Sequence, residues 1–250
     1  MADSVAGVVL AAGAGERLRP LTRLRAKVLC PVGDRPLVDH AIARFEGVTT
    51  SVAVNAHHHL EQVESHLAGR VHLSIEQPVA LGTAGALGAL RDWIDGRACV
   101  VVNGDTWCPT STAVLVDGWD GERIRVLSPT PGPLGPRTRI AGALMPWPDV
   151  AGLAAEPSGL YERTWRAAAD EGRLEVVALA ADAPFVDCGT PSDYLGANMA
   201  WSGGESVIGA GATIEGTVER SVVWPGAVVR PEEHLVGAIR ASSKMTVVVR

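Results

Sequence analysis

The residues from 5 to 32 constrain this chain more than any other stretch. Val5–Leu10 (V-A-G-V-V-L) is apolar without alternation, the pattern of a strand buried on both faces. The run ends in Ala-Ala-Gly-Ala-Gly, where Gly13 and Gly15 let the backbone turn tightly. Five cations follow within eleven positions, Arg17, Arg19, Arg23, Arg25 and Lys27, with Glu16 the single acid among them. A strand, a glycine turn and clustered positive charge supply backbone N–H groups, close approach and counter-charge, which is what a polyphosphate needs. Lys27 and Lys244 are the only lysines in a chain with 22 Lys+Arg. A compact ammonium is therefore kept between two apolar stretches of a sequence that otherwise uses guanidinium. A solvated arginine-rich loop and a snorkelling core-edge lysine give the same pattern, so these residues do not decide alone.

The motif L-A-A-G-x-G-x-R-L-x-P-L-T from Leu10, with a lysine just before L-x-P-V, resembles the sugar-nucleotide pyrophosphorylases, the nucleotidyltransferases that make NDP-sugars. Gly13, Gly15, Arg17 and Lys27 match it. The family usually has Pro after the lysine; Val28 stands here, and a small change in loop stiffness is expected. Residues 81–87 (L-G-T-A-G-A-L) match the family's base-holding segment, with Thr83 expected to cap a helix and Gly82 and Gly85 to let a planar ring lie against backbone. Asn103-Gly104-Asp105 puts a carboxylate at the end of an apolar strand, and Asp187-Cys188-Gly189-Thr190-Pro191 with Asp193-Tyr194 matches the family's second metal-binding segment.

The resemblance implies a reaction and roles. A sugar 1-phosphate oxygen attacks the α-phosphorus of an NTP in line, and pyrophosphate leaves; positioning and charge neutralisation matter most in such transfers. Asp105 and Asp187 are implied as the Mg²⁺ ligands, a hard cation held between carboxylates and phosphates. Arg17 and the amides of residues 13–15 are expected to hold the pyrophosphate, and Lys27 to neutralise the α-phosphate and sugar phosphate as they meet. Leu10, Ala11, Gly13, Gly15, Gln77, Gly82 and Thr83 form the expected nucleotide site. Many relatives show Glu-Lys-Pro before the segment matching residues 140–145; this chain has Thr138-Arg139. Arg139 is taken as the replacement cation, with Gly142, Tyr161 and Glu162 as further sugar contacts.

Two other readings stay open at this stage: a catalytically silent nucleotide-sugar sensor or regulatory subunit of the same fold, and an enzyme with a non-sugar acceptor such as phosphocholine. The base is also open. G-T-A-G-A-L is frequent in mannose-1-phosphate guanylyltransferase-like members. Gln77, however, offers one donor and one acceptor side by side, which complement uracil or thymine better than the two donors of guanine. Glu76 would serve guanine only if the strand register shifted by one, onto the opposite face.

The whole chain bounds these readings. At 250 residues with 47% hydrophobic and 20% charged residues it suits a soluble globule. A net charge of −6 gives no general attraction to nucleic acid or anionic membrane. Cys30, Cys99, Cys108 and Cys188 show no C-x-x-C pairing and are read as reduced thiols of a cytoplasmic protein, without signal peptide or membrane span. The run His57-His58-His59 is read as a helix-start surface cluster before a metal site, and Trp107 as core packing or a ring that stacks on substrate.

Strand patterns at 52–55, 71–76 and 98–103 alternate with helix patterns at 58–67 and 84–93, a doubly wound arrangement. Residues 140–145, 161–171, 174–179 and 192–201 are expected to form a second, smaller α/β portion. From residue 207, Ile208, Ile214, Val222 and Val228 recur near a six-residue spacing with small residues between, resembling hexapeptide repeats. The expectation is α/β: a Rossmann-like doubly wound mixed sheet over 1–203, with a short left-handed β-helix-like tail over 204–250. Too short to stand alone, the tail should pack on the catalytic domain or on a second copy in a homodimer.

Overall fold

The computed structural model describes residues 4–130 and 132–249. The chain forms two compact units that interleave along the sequence. One holds Met1–Ala14, His40–Gly104 and Cys108–Phe185; the other holds Gly15–Asp39, Asp105–Trp107 and Val186–Arg250.

The first unit is built on a seven-stranded sheet. Its strands are β1 (Val5–Leu10), β2 (Val52–Ala56), β3 (His72–Ile75), β4 (Ala98–Asn103), β5 (Ile124–Ser128), β6 (Gly142–Met145) and β7 (Leu174–Ala178), in the spatial order β7-β5-β6-β4-β1-β2-β3. Every neighbouring pair is parallel except those of β6, which runs antiparallel to both β4 and β5. The apolar runs of β1 and β4 sit in the middle, where helices cover both faces of a strand. Register aligns Leu10 with Asn55 and with Asn103, so three strand ends finish side by side. The second α/β portion expected after residue 140 does not separate. Met145 pairs with Cys99 and Leu144 with Arg125, and β6 thereby joins β5 and β7 to the same sheet.

Helix Gly82–Ile94 lays Ala84, Leu87, Leu90 and Ile94 into the core with Val8, Val101 and Val126. That spacing is one helical face. Two boundaries differ from expectation. The helix after β2 begins at Leu60, because His59 takes a left-handed conformation (φ 51°) that ends the preceding loop. Residues 161–171 open with a π-helical turn, Tyr161–Trp165, before the α-helix Arg166–Asp170.

In the second unit, helix Pro191–Ser202 starts as its residues dictate. The Thr190 hydroxyl accepts from the Asp193 N–H at 3.2 Å, and Pro191 fills the first turn. From residue 207 the chain returns parallel to itself in short ladders: Val207–Ile208 on Val222–Val223, Thr213–Ile214 on Val228–Val229, and Thr217–Glu219 on His234–Val236. These strands are not a loose appendage. Val207, Val222, Trp224 and Ile239 share one core with Leu18, Leu21, Val32 and Tyr194. Trp224, 1% exposed, donates its indole N–H to the Tyr194 hydroxyl at 2.9 Å, and that hydroxyl donates to the Pro31 carbonyl. No helix among the described residues is long and apolar enough to cross a membrane.

Trp224→Ala should therefore lower the unfolding free energy by about 3–5 kcal/mol in a urea titration, as for other buried aromatic truncations. A loss below about 1 kcal/mol would contradict the placement of this segment in the core.

Candidate functional site

The charged cluster lies within the second unit. Lys27 opens a single 3₁₀ turn, Lys27–Leu29, whose three residues are all buried. Its ammonium lies 2.5 Å from Asp105 Oδ2 and 3.8 Å from Asp187 Oδ1. The lysine side chain is 7% exposed, the two aspartates 31% and 48%, so the cation forms the floor and the carboxylates face outward. Burying an ammonium costs several kcal/mol unless it is paired at close range. Both carboxylates are brought to it by a two-residue antiparallel ladder, in which Thr106 pairs with Asp187 and Trp107 with Val186. The Cys188 N–H adds a bond to the Asp105 carbonyl at 3.1 Å. Trp107 is 5% exposed and belongs to the core.

The five clustered cations do not act as one patch. Arg19 pairs with Glu16 at 3.3 Å, and Arg25 lies 4.8 Å over the Trp224 ring. Arg17 is exposed and has no ion pair among the described residues, so Glu16 leaves it unneutralised. Its guanidinium lies 3.0 Å from where a Cβ on Gly189 would stand, so the glycine of the Asp-Cys-Gly-Thr-Pro segment is what admits it. Gly15 takes φ +64°, and a Cβ there would meet Thr22 Cγ2 at 2.8 Å and Lys27 Cβ at 2.9 Å. The Thr22 hydroxyl closes the turn on the Gly15 carbonyl at 2.9 Å. Cys188, next to Asp187, is buried; burial pushes its thiol well up, and the Asp105 charge adds to this. Burial likewise pushes the Cys30 thiol up to about 12.

In the first unit the expected nucleotide residues other than Gly15 fall at or just past the carboxyl ends of β1 and β3 and in the first turn of helix Gly82–Ile94. The Leu10 carbonyl accepts from the Gly104 N–H at 2.8 Å. The Ala11 N–H is taken by Asn55 Oδ1 at 2.6 Å. Gly13 is exposed, with nothing within 4 Å of a Cβ position. Gln77 is exposed, whereas Glu76 is 1% exposed with both carboxylate oxygens engaged, by Asn55 Nδ2 and by the Leu81 N–H, each at 2.7 Å.

Two local expectations change. Thr83 does not cap its helix; its hydroxyl accepts from the Leu160 N–H at 2.8 Å. Gly82 and Gly85 do not leave room at their Cβ positions for a ring. A Cβ on Gly82 would stand 2.6 Å from the Ser158 carbonyl oxygen, and one on Gly85 2.2 Å from that of Glu156. Glycines three apart share a helix face, and here that face admits the protein's own backbone.

A cavity of about 210 Å³ opens in the same unit, lined by Leu10, Thr83, Asn103, Gly142, Tyr161 and Glu162 among others. Gly142, Tyr161 and Glu162, three of the expected acceptor residues, thus meet in one place. Arg139 does not line this cavity; its guanidinium lies 4.7 Å over the Phe185 ring. His57 Nδ1 lies 2.8 Å from the Glu76 carbonyl. Sequence reasoning missed Asn55 as a site residue and read Glu76 only as a guanine partner. A polar residue ending an otherwise apolar strand was the available signal at position 55.

Residues 6–120 match the model of the nucleotidyl transferase family. The likeness to that family is thus carried by a little under half of the chain. The N-acetylmuramate alpha-1-phosphate uridylyltransferase of Caulobacter vibrioides is 34% identical over 132 residues, 48% of this chain and 54% of that one. The bifunctional protein GlmU of Methanocaldococcus jannaschii is 30% identical over 99 residues, 39% of this chain and 24% of that one. The chain therefore spans about half the length of the first relative and a quarter of the second. Among solved structures, a Bacillus anthracis protein described as a glucose-1-phosphate thymidylyltransferase, in complex with a sucrose, superposes with a TM-score of 0.64. It is 21% identical, and the match covers 78% of this chain and 94% of that one, a likeness of fold.

The two glycines of the loop after β1 should respond differently to a methyl group. Gly15→Ala forces a left-handed alanine onto Lys27 and should cost at least ~1–2 kcal/mol in a denaturant titration. Gly13→Ala should leave stability unchanged. Equal stability losses in the two variants would contradict this placement.

Proposed function

We propose that the protein transfers a nucleotidyl group from an NTP to a sugar 1-phosphate, releasing pyrophosphate, with Mg²⁺ as cofactor. The observation that carries this reading is the Lys27 ammonium 2.5 Å from Asp105 and 3.8 Å from Asp187, two carboxylates from segments far apart in sequence. A pair of half-exposed carboxylates suits Mg²⁺, which takes one or two such ligands and fills its remaining positions with phosphate oxygens and water. Asp105 and Asp187 would hold it, and when bound it supplies positive charge to the phosphates. Lys27 neutralises charge that develops at the α-phosphorus as the sugar phosphate oxygen attacks. Arg17, exposed and unneutralised, takes the departing pyrophosphate, with the amides of the glycine turn. None of these groups has to gain or lose a proton; the work is charge placement.

Gln77 supports UTP or dTTP over GTP. Its amide is exposed, whereas the Glu76 carboxylate, the better match for guanine, has both oxygens committed to Asn55 and Leu81. The uridylyl transfer named for the Caulobacter relative points the same way. The acceptor is assigned to the cavity at Gly142 and Glu162, whose apolar wall includes Leu10, Ile140 and Leu160. Such a wall suits a hexose 1-phosphate carrying an acyl or ether substituent, in keeping with the N-acetylmuramate of that relative's name. The parallel ladders after residue 207 are read as turns of a hexapeptide-repeat coil.

Asp105→Asn and Lys27→Ala should each reduce pyrophosphate release by at least ~10², the scale seen when one charge-stabilising group is lost. Circular dichroism establishes that the variants are folded. Near-normal turnover in either folded variant would contradict the assignment. Gln77→Glu should shift kcat/KM towards GTP, since an unmatched polar edge costs ~1–3 kcal/mol; an unchanged UTP-to-GTP ratio would contradict the base reading.

A further inference from the structure

At the carboxyl end of β2, Asn55 is 2% exposed and Glu76, just past β3, is 1% exposed. Between them they carry an unbroken line of hydrogen bonds. The Ala11 N–H donates to Asn55 Oδ1 at 2.6 Å, Asn55 Nδ2 donates to Glu76 Oε1 at 2.7 Å, and the Leu81 N–H donates to Glu76 Oε2 at 2.7 Å. Both ends of the line are main-chain donors. The two side chains between them must therefore present an acceptor outward at each end and one donor–acceptor contact in the middle. One amide and one carboxylate satisfy this. Two amides set an NH₂ group against an N–H, and two carboxylates set oxygen against oxygen.

The two ends are the segments assigned to the nucleotide. Ala11 directly follows β1 and stands two residues before Gly13. Leu81 stands directly before Gly82 and closes the loop that carries Gln77. That loop hangs from Glu76 at both sides: the Glu76 N–H donates to the Ala56 carbonyl at 2.9 Å, and its side chain holds Leu81. Buried side-chain lines of this kind fix geometry, because a partly satisfied line costs more than an apolar one. We propose that Asn55 and Glu76 are positioning residues that hold residues 11–13 and 77–82 at a fixed distance for nucleotide binding. The inference rests on the nucleotidyl-transfer reading above.

The arrangement has a second solution, and that supplies the test. In the double variant Asn55→Asp/Glu76→Gln the amide and the carboxylate exchange places. The carboxylate now at position 55 accepts from the Ala11 N–H with one oxygen and from the side-chain NH₂ now at position 76 with the other. The carbonyl of that new amide accepts from the Leu81 N–H. All three bonds and the single carboxylate survive. The experiment compares wild type, Asn55→Asp, Glu76→Gln and the double variant by calorimetric UTP binding, by kcat/KM for UTP and GTP with a sugar 1-phosphate, and by thermal melting. Each single variant should bind UTP about 10- to 100-fold more weakly, the scale of one unsatisfied buried polar group. The UTP-to-GTP ratio should fall in Glu76→Gln, because the loop carrying Gln77 is released. The double variant should recover to within about threefold of wild type, the mark of direct coupling.

A double variant no better than the weaker single variant overturns the proposal. So do single variants that lose thermal stability while keeping wild-type UTP affinity and UTP-to-GTP ratio, since that is a structural role alone. If a single variant does not fold, the double variant against wild type decides by the same affinity criterion. A wild-type protein that binds UTP but forms no NDP-sugar refutes the transfer reading, and the pair is then judged from binding alone. A wild-type protein that binds no nucleotide refutes both.

Discussion

A buried ammonium governs the charge cluster of the second unit. Lys27 is 8% exposed, and the desolvation of its ammonium is offset only while Asp105 stays at 2.5 Å. Everything that fixes the lysine or the aspartate then bears on the pair. On the lysine side the chain runs on through Cys30 and Pro31, whose carbonyl accepts from the Tyr194 hydroxyl. Asn198 takes the Gly33 N–H at 3.0 Å and donates to the Tyr194 carbonyl at 3.0 Å. Trp224 donates to Tyr194 in turn at 2.9 Å, and its ring carries Arg25. On the aspartate side, the short ladder of Thr106–Trp107 with Val186–Asp187 sets the second carboxylate beside the first. The segment after residue 207 is thus continuous with the packing behind the lysine, and its loss would act on the charge cluster through Trp224 and Tyr194.

The first unit solves a different problem, that of aligning strand ends. Leu10, Asn55 and Asn103 reach the edge in one register. Backbone and side-chain bonds then tie the turns beyond these strands: Gly104 to Leu10, Ala11 to Asn55, Glu76 to Asn55, and Leu81 to Glu76. Buried polar groups consequently hold the turns, while the exposed groups, Gly13 and Gln77, are left open to a ligand.

Much of this was legible in the residues. Val5–Leu10 and Ala98–Asn103 read as buried strands because both runs are apolar as far as Asn103, and they are central in the sheet. Asp105 and Asp187 could be paired only through a family motif, and the structure gives the physical reason in a two-residue ladder. Gly15 declared itself through its place after the strand, and φ +64° explains it. The features that were not legible depend on partners remote in sequence. The glycines of helix Gly82–Ile94 look like room for a ligand until the carbonyls of Glu156 and Ser158 are found against them. Thr83 looks like a cap until Leu160 claims its hydroxyl. β6 looks like the start of another layer until Met145 pairs with Cys99. Asn55 shows only as a polar residue near the end of an apolar strand, and what it does is interpretable only through Glu76.

The central claim is that the charge cluster of Lys27, Asp105 and Asp187 serves the exchange of pyrophosphate for a sugar phosphate on a nucleotide. Phosphorus-31 NMR of the protein with UTP, Mg²⁺ and a panel of hexose 1-phosphates tests it most directly, because it resolves every phosphorus at once. With at least one acceptor, pyrophosphate and the two coupled resonances of a sugar diphosphate should grow at equal rates as UTP and sugar phosphate fall together. Orthophosphate as the product, or UTP unchanged with every acceptor and with dTTP and GTP in its place, would contradict it.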